Sequence, residues 1–497
     1  MIARDYDIVI IGTGAGGGTV AQALAPMVAQ GVRVLIVEQG ARLGEHEYSG
    51  HEREMAEALY EDGGGVLTAD GTMTLALGRA YGGSTAVYTG VSLVAPARVV
   101  REWCVPGLDF ADVERRSNKY MAQNDVHFIP RVLINENNKL FFTGCHRLGL
   151  KVEQFPLNLR GCKGSSLCNL GCPNAAKMGT NRVQLSNAER LGVEVLTRAE
   201  ALRVEERAVV VRVSEKAPGA KGLPSEWAPG EYRVSAGTVI VAAGAVGTSA
   251  LLLRSPATQR LRGVGERFTC HPAMVLAAEH DREIANDVGH PKSYYLDHAE
   301  HGGYLLETCM YFPFVTAKSL TGFGTPHSTL MRAFPRLQMI LALACDKAVP
   351  TNRVGVDAQG KAVVHYTLTA PVLRALHDAT RTSARIFFAA GARRVHLPGA
   401  DPPLVEREQA YRLDDLLLAR HFVPGRISLS AAHMMGGCAM GAEGRSVTDS
   451  WGRVHGIPWL RVADSSLFPD SVEVNPYLTV MALADRVAES VLRDGGR

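Results

Sequence analysis

The sequence predicts an α/β protein, a parallel sheet with helices joined to a second layer built on an antiparallel sheet. Three observations predict it. Residues 7–38 read as strand, glycine turn, helix and strand, with an acid at the end. Residues 238–255 repeat the strand–turn–helix order near the middle of the chain. Residues 268–422 change texture: they alternate apolar and polar residues over 354–368 and are rich in Pro, His and aromatic residues. The first two suit βαβ units and the third suits antiparallel strands.

Residues 8–11 are a β-branched run bounded by glycine, as a buried parallel strand requires. Gly12, Gly14 and Gly17 then form G-x-G-x-x-G. Residues 19–30 read as a helix, weakened in its middle by Pro26, and 32–37 read as a second apolar strand. In this Rossmann-type pattern Gly12 permits the tight turn, Gly14 lets backbone approach a pyrophosphate, and Gly17 allows close helix–strand packing. The helix N-terminus faces the phosphates. Glu38 is placed to accept hydrogen bonds from a ribose hydroxyl pair, which disfavours the 2′-phosphate of NADP. The unit alone does not separate FAD from NAD. A second glycine block follows at 77–90, where Gly82, Gly83 and Ser84 offer bare backbone amides for a second phosphate contact; a plain turn is the bland alternative.

The remaining elements follow in order. Residues 39–65 are a polar, partly helical excursion. Residues 110–124 look helical, 182–196 read as helix then strand, and 201–213 as paired strands. Residues 215–230 carry Pro, Gly and Lys and suit an exposed hairpin loop. Residues 238–243 are a buried strand, and 244–255 a glycine turn feeding an apolar helix. A long helix is expected at 371–390, a short strand at 460–463 ending at Asp464, and a last helix at 478–492. The expected division is a discontinuous nucleotide-binding domain (1–95, 190–270 and 425–497) and a substrate domain (96–189 and 271–424).

Composition sets the outer bounds. The chain has 497 residues, 46% hydrophobic and 21% charged, which describes a globular protein of two or three domains. Net charge is +3, and no basic run points to nucleic acid as a partner. No apolar run reaches the length of about 18 residues that a membrane span needs. No leader is visible, so cytoplasmic residence is the expectation.

Four blocks carry a family resemblance: the N-terminal βαβ unit, LGRAYGGST, TVIVAAGAVGTSALLL, and HMMGGCAMG followed by DSSLFPDSVEVNPYLTVMALADR. With GVGERFTCHP at 263–272 they resemble, in order, the glucose–methanol–choline (GMC) flavoprotein oxidoreductases. The C-terminal block looks closest to the cholesterol oxidase and long-chain alcohol oxidase branches. The resemblance implies FAD, with hydride passing from an alcohol carbon to flavin N5. It implies a catalytic His433 with Asn475 as partner, and it sets Ala245 and Asp464 beside the cofactor. Chemistry supports the pair. A neutral imidazole is matched to take a hydroxyl proton near pH 7. An Asn amide donates to the same oxygen. His271 and His455 read as structural histidines. Two positions depart from the family pattern: Tyr88 stands where many members have Asn, and Cys270 where many have Asp.

Nine cysteines are an odd count, and six of them are scattered singly. Cys162, Cys168 and Cys172 instead cluster as C-x5-C-x3-C, with Pro173 after the third. Such spacing suits an iron–sulfur cluster, and three thiolates suit a [3Fe-4S] cluster. The segment is similar to one in the catalytic subunit of certain bacterial FAD glucose dehydrogenases. Long-chain alcohol oxidases also carry cysteines here, so a reduced or disulfide-paired structural loop is the bland alternative. Zinc lacks a fourth Cys or His.

The expected function is FAD-dependent oxidation of a small-molecule alcohol to a carbonyl, on a fairly apolar substrate. The apolar expectation rests on 310–314 (MYFPF) and 339–344, either of which also suits a core. The electron acceptor is left open among O₂, a quinone and a redox protein. Rival readings are sugar oxidation or other flavin chemistry on the same scaffold, and a non-catalytic relative that binds protein or lipid.

Overall fold

The computed structural model describes residues 1–399 and 404–495. The first strand, Ile2–Ile11, lies at the centre of a seven-stranded sheet. On one side it pairs in parallel with Val34–Val37, which pairs in parallel with Glu194–Leu196. On the other it pairs in parallel with Gly230–Val241, with Ile8 opposite Thr238. Leu460–Val462 adds a further parallel partner to that strand. Ala208–Val213 and Ala199–Glu205 extend the sheet as antiparallel strands. Ile8, Val9, Ile10, Leu35, Ile36, Val239 and Ile240 are all fully buried, as a strand covered on both faces demands.

The helix after the glycine turn is Ala15–Leu24, and it begins earlier than the sequence suggested. Pro26 ends it: the chain continues as a 3₁₀ segment, Ala25–Gln30, with the proline in its first turn. Proline has no N–H for the α-helical ladder, so the tighter turn takes over there. This helix packs on the C-terminal helix Tyr477–Arg493, which also packs on Phe110–Gln123. The second contact is pinned by Asp485, whose carboxylate accepts from Arg116 (2.5 Å), Lys119 (2.5 Å) and the Tyr120 hydroxyl (2.6 Å).

The second layer is a ten-stranded, largely antiparallel sheet. Its centre is Ala273–Glu279 against Leu337–Ala344, then Tyr304–Thr308 and Tyr294–His298. Both faces are covered. Ile340, Ala342 and Ala344 face a cluster capped by the helix Ala370–Ala389, while Met339, Leu341 and Leu343 face a second cluster with Leu320 and Leu330. Residues 339–344 are therefore sheet core, the second of the two readings the sequence left open for them. Two short strands join this sheet from distant places: Met73–Leu75 and Leu429–Ala431 pair with each other in parallel, Leu429 opposite Met73. No helix among the described residues is long and apolar enough to cross a membrane.

Candidate active site

The glycine turn forms at the end of the first strand. Gly12 has φ +100°, and its N–H donates to Val37 O (2.7 Å), closing the two strand ends together. A Cβ on Gly17 would lie 1.8 Å from Gly12 O, so glycine there is a packing requirement. Gly14 differs. It has an ordinary φ of −64°, and a Cβ would meet only Gly83 Cα, at 3.9 Å. The fold itself does not need glycine at 14; a phosphate approaching the helix N-terminus does.

Glu38 is 5% exposed. Its Oε2 accepts from Thr13 N (3.1 Å) and Thr13 Oγ1 (2.5 Å), and its Oε1 from Gly40 N (2.7 Å). Burial pushes this carboxyl up, against those hydrogen bonds. Oε1 has a single donor and keeps acceptor capacity for a ribose hydroxyl. The second glycine block lies directly over the first: a Cβ on Gly83 would come 2.7 Å from Gly14 Cα. Two of its amides, those of Gly82 and Gly83, already have partners within the protein. Gly82 N–H donates to Thr13 Oγ1 (2.9 Å) and Gly83 N–H to Ala80 O (2.6 Å). Ser84 Oγ accepts from Gly78 N (3.2 Å). Thr13, which sequence reasoning passed over, thus stitches the two turns and the acid together.

Asp464 accepts from Gly244 N (2.9 Å), Thr248 Oγ1 (2.5 Å) and Ser466 N (2.8 Å). It ties the end of the last parallel strand to the helix Gly244–Leu253, where Ala245 is buried.

His433 follows the strand Leu429–Ala431, and Asn475 precedes the C-terminal helix. Their Nε2 and Nδ2 atoms are 3.3 Å apart. Asn475 Oδ1 and the nearby Thr479 Oγ1 are buried without a hydrogen-bond partner. Buried orphans of this kind at one helix start are the mark of a polar ligand. Together with the open side of Gly14 and the spare capacity of Glu38, they fit a dinucleotide running from the glycine turn to the C-terminal helix. The His433 pKa is pushed down to about 3, mainly by burial and then by the Lys292 cation. Lys292 is itself paired with Glu307 in the interior. The Asn475 segment is held by Glu473, which has φ +60° and bonds Arg98 and Lys347 through its carboxylate.

Other singled-out residues take these places. His271 is 1% exposed and its Nδ1 lies 3.0 Å from His433 Nδ1. His455 is apart from this group, 3.3 Å from Ser446 Oγ and Gly441 O. Tyr88 stacks edge-on against Tyr477, with ring centroids 4.9 Å apart, and its hydroxyl bonds Asn158. Cys270 is fully buried, and burial pushes its thiol up. Phe314 of MYFPF is 55% exposed, whereas Met310 is buried.

The metal expectation finds no support. Among the described residues, no group of three or more His, Cys, Asp or Glu side chains is placed to hold a metal ion. Cys162, Cys168 and Cys172 are free thiols, each with local business. Gly164 N–H donates to Cys162 Sγ (3.4 Å), and Ala176 N–H to Cys172 Sγ (3.3 Å). Burial pushes the Cys168 thiol up to about 12, which keeps it protonated in the metal-free protein. The buried Lys177 ammonium stands beside them, donating to Ala86 O (2.8 Å), Tyr88 O (2.9 Å) and Cys168 O (2.6 Å). The loop is a structural strap in which a lysine holds the carbonyls.

A parallel sheet with a glycine turn at the end of its first strand and an acid at the end of its second is the arrangement of a dinucleotide-binding domain. The N-terminal GMC oxidoreductase family model matches residues 56–273 and the C-terminal one residues 351–484. The chain belongs to the GMC oxidoreductase family. It is 32% identical to an uncharacterized GMC-type oxidoreductase of Mycobacterium tuberculosis, over 98% of this chain and 76% of that one. It is 27% identical to the long-chain-alcohol oxidase FAO4B of Arabidopsis thaliana, over 98% of this chain and 67% of that one. Its fold is similar to that of pyridoxine 4-oxidase from Mesorbium loti, with a TM-score of 0.71 and 17% identity, covering 98% and 99% of the two chains. Family and fold support FAD as the cofactor.

Proposed function

We propose that the protein oxidises an apolar alcohol to the carbonyl compound, with FAD held by Gly12, Gly14, Gly17 and Glu38 and with His433 as proton acceptor. The observation that carries this reading is the His433–Asn475 contact of 3.3 Å, long for a hydrogen bond and made at a pair of otherwise buried polar atoms. A substrate hydroxyl entering there would donate to His433 Nε2 and accept from Asn475 Nδ2, replacing the direct contact. When bound, FAD supplies the acceptor for the hydride. Burial keeps His433 neutral throughout the physiological range, so one ring nitrogen has a free lone pair to offer a hydroxyl. Asn475 steadies the charge that develops on oxygen as the proton leaves. The apolar choice is supported by the long-chain-alcohol oxidase among the relatives and by the aromatic segment around Phe314.

The test is anaerobic mixing of the purified flavoprotein with primary alcohols of increasing chain length. Bleaching of the flavin, strongest with the longer chains, is the expected result. A flavin left oxidised by every alcohol tried would refute the reading.

A further inference from the structure

His433 is only one member of a chain of side chains. His271, between Cys270 and Pro272, sits just before the strand Ala273–Glu279. Its Nδ1 is 3.0 Å from His433 Nδ1, and its Nε2 is 2.9 Å from Ser471 Oγ. At the far end of His433, Nε2 faces Asn475 Nδ2. Glu473 N–H also donates to Ser471 Oγ (3.2 Å), which anchors that end.

With the Asn475 amide turned so that its NH₂ faces His433, proton bookkeeping along this chain has one solution. An amide NH₂ only donates, so His433 Nε2 is the acceptor in its contact with Asn475. A neutral imidazole carries one proton, so that of His433 is on Nδ1. That N–H points at His271 Nδ1, which must then be bare. The proton of His271 is left on Nε2, where Ser471 Oγ accepts it. We infer that His271 is a positioning residue: it accepts the His433 Nδ1 proton and thereby keeps His433 Nε2 unprotonated toward Asn475 and an incoming hydroxyl. The inference rests on the proposed role of His433 as proton acceptor, and it adds the group that fixes the tautomer that role requires. Once His433 has taken a second proton at Nε2, the Nδ1–H bond to His271 remains and shares the positive charge.

The test uses FAD-loaded protein, with two readouts. In protein carrying ¹⁵N-histidine, protonated and bare ring nitrogens are distinguished directly, and His433→Asn assigns the signals. The parent should show His433 as a single Nδ1–H tautomer. His271→Ala should give mixed tautomers and slow flavin reduction by an alcohol about 10- to 100-fold, with flavin content unchanged. His271→Asn sets an amide oxygen at the place of Nδ1 and should restore both the tautomer and most of the rate. Should His271→Ala fail to fold, His271→Gln replaces it; its longer amide reaches the Nε2 end and should not restore the tautomer. An Nε2–H tautomer in the parent, or a His271→Ala protein with the parent's tautomer and rate, overturns the inference. If no alcohol reduces the flavin, the proposed reaction fails, and the tautomer measurement still decides the role of His271.

Discussion

Replacing Gly14 with alanine separates what the fold needs from what the cofactor needs. The backbone at Gly14 has φ −64°, open to any residue, and a new Cβ would meet only Gly83 Cα at 3.9 Å. The direct cost to the protein is that of alanine for glycine at a helix N-cap, about 0.5–1 kcal/mol. In a chain of this size that lowers Tm by no more than about 2–4 °C. The cost to a phosphate is larger, because the methyl group stands where its oxygens approach the helix amides. Losing two charge-assisted hydrogen bonds, at about 1.5–3 kcal/mol each, amounts to about 3–6 kcal/mol. That is about 10²- to 10⁴-fold in FAD affinity. The assay is flavin content after purification, then titration of the stripped protein with FAD, beside a thermal melt. Gly17→Ala is the contrasting control, since its Cβ would sit 1.8 Å from Gly12 O and should abolish folding itself. A well-folded Gly14→Ala protein that binds FAD like the parent would refute the reasoning.

Three further outcomes are expected. His433→Ala should slow flavin reduction about 10²- to 10⁴-fold and Asn475→Ala about 10²-fold, both with FAD retained; rapid mixing measures this, and an unchanged rate for His433→Ala removes it as base. Acid should weaken the fold between pH 6.5 and about 4. Burial lowers the pKa of His271 and His433 to about 3 and of His290 and His396 to about 4, so the unfolded chain binds more protons there and stability falls as pH falls. The loss is on the order of 1 kcal/mol per histidine by pH 5. Asp346, raised to about 6, opposes this together with the raised Glu38 and Asp464, while the lowered His280 adds to the four histidines; a Tm that holds or rises from pH 7 to 5 would contradict the assignment. Lys177→Met should strand the carbonyls of Ala86, Tyr88 and Cys168 and cost about 2–4 kcal/mol, read from chemical denaturation.

The parts legible in the sequence are those encoded by short-range pattern. The glycine spacing, the β-branched run at 8–11 and the acid at 38 describe one local unit, and the structure builds it in place. The helix at Ala370–Ala389 and the strand pair at 199–213 likewise follow from periodicity. Met73–Leu75 and Leu429–Ala431 were not legible as partners, because three-residue strands have no period and their pairing is fixed only by tertiary contact. His271 looked like an ordinary core histidine for the same reason. It lies 162 residues from His433 in the chain, and no spacing rule spans that gap. The cysteine spacing suggested ligation, which finds no support in the placement of the side chains; the buried Lys177 beside the three thiols was not legible from spacing.

The central strand has a consequence for how the protein is made. Ile2–Ile11 is made well before its neighbour Gly230–Val241, which is more than two hundred residues behind. At about 5–20 residues per second, the first strand waits roughly 10–50 s for that edge to arrive. The closing parallel strand, Leu460–Val462, and Asn475 follow more than two hundred residues later still. A chain released early would therefore carry the complete phosphate turn and no partner for His433. A chain cut before those strands leaves an apolar strand edge unpaired, the kind of surface on which aggregation starts and chaperones act.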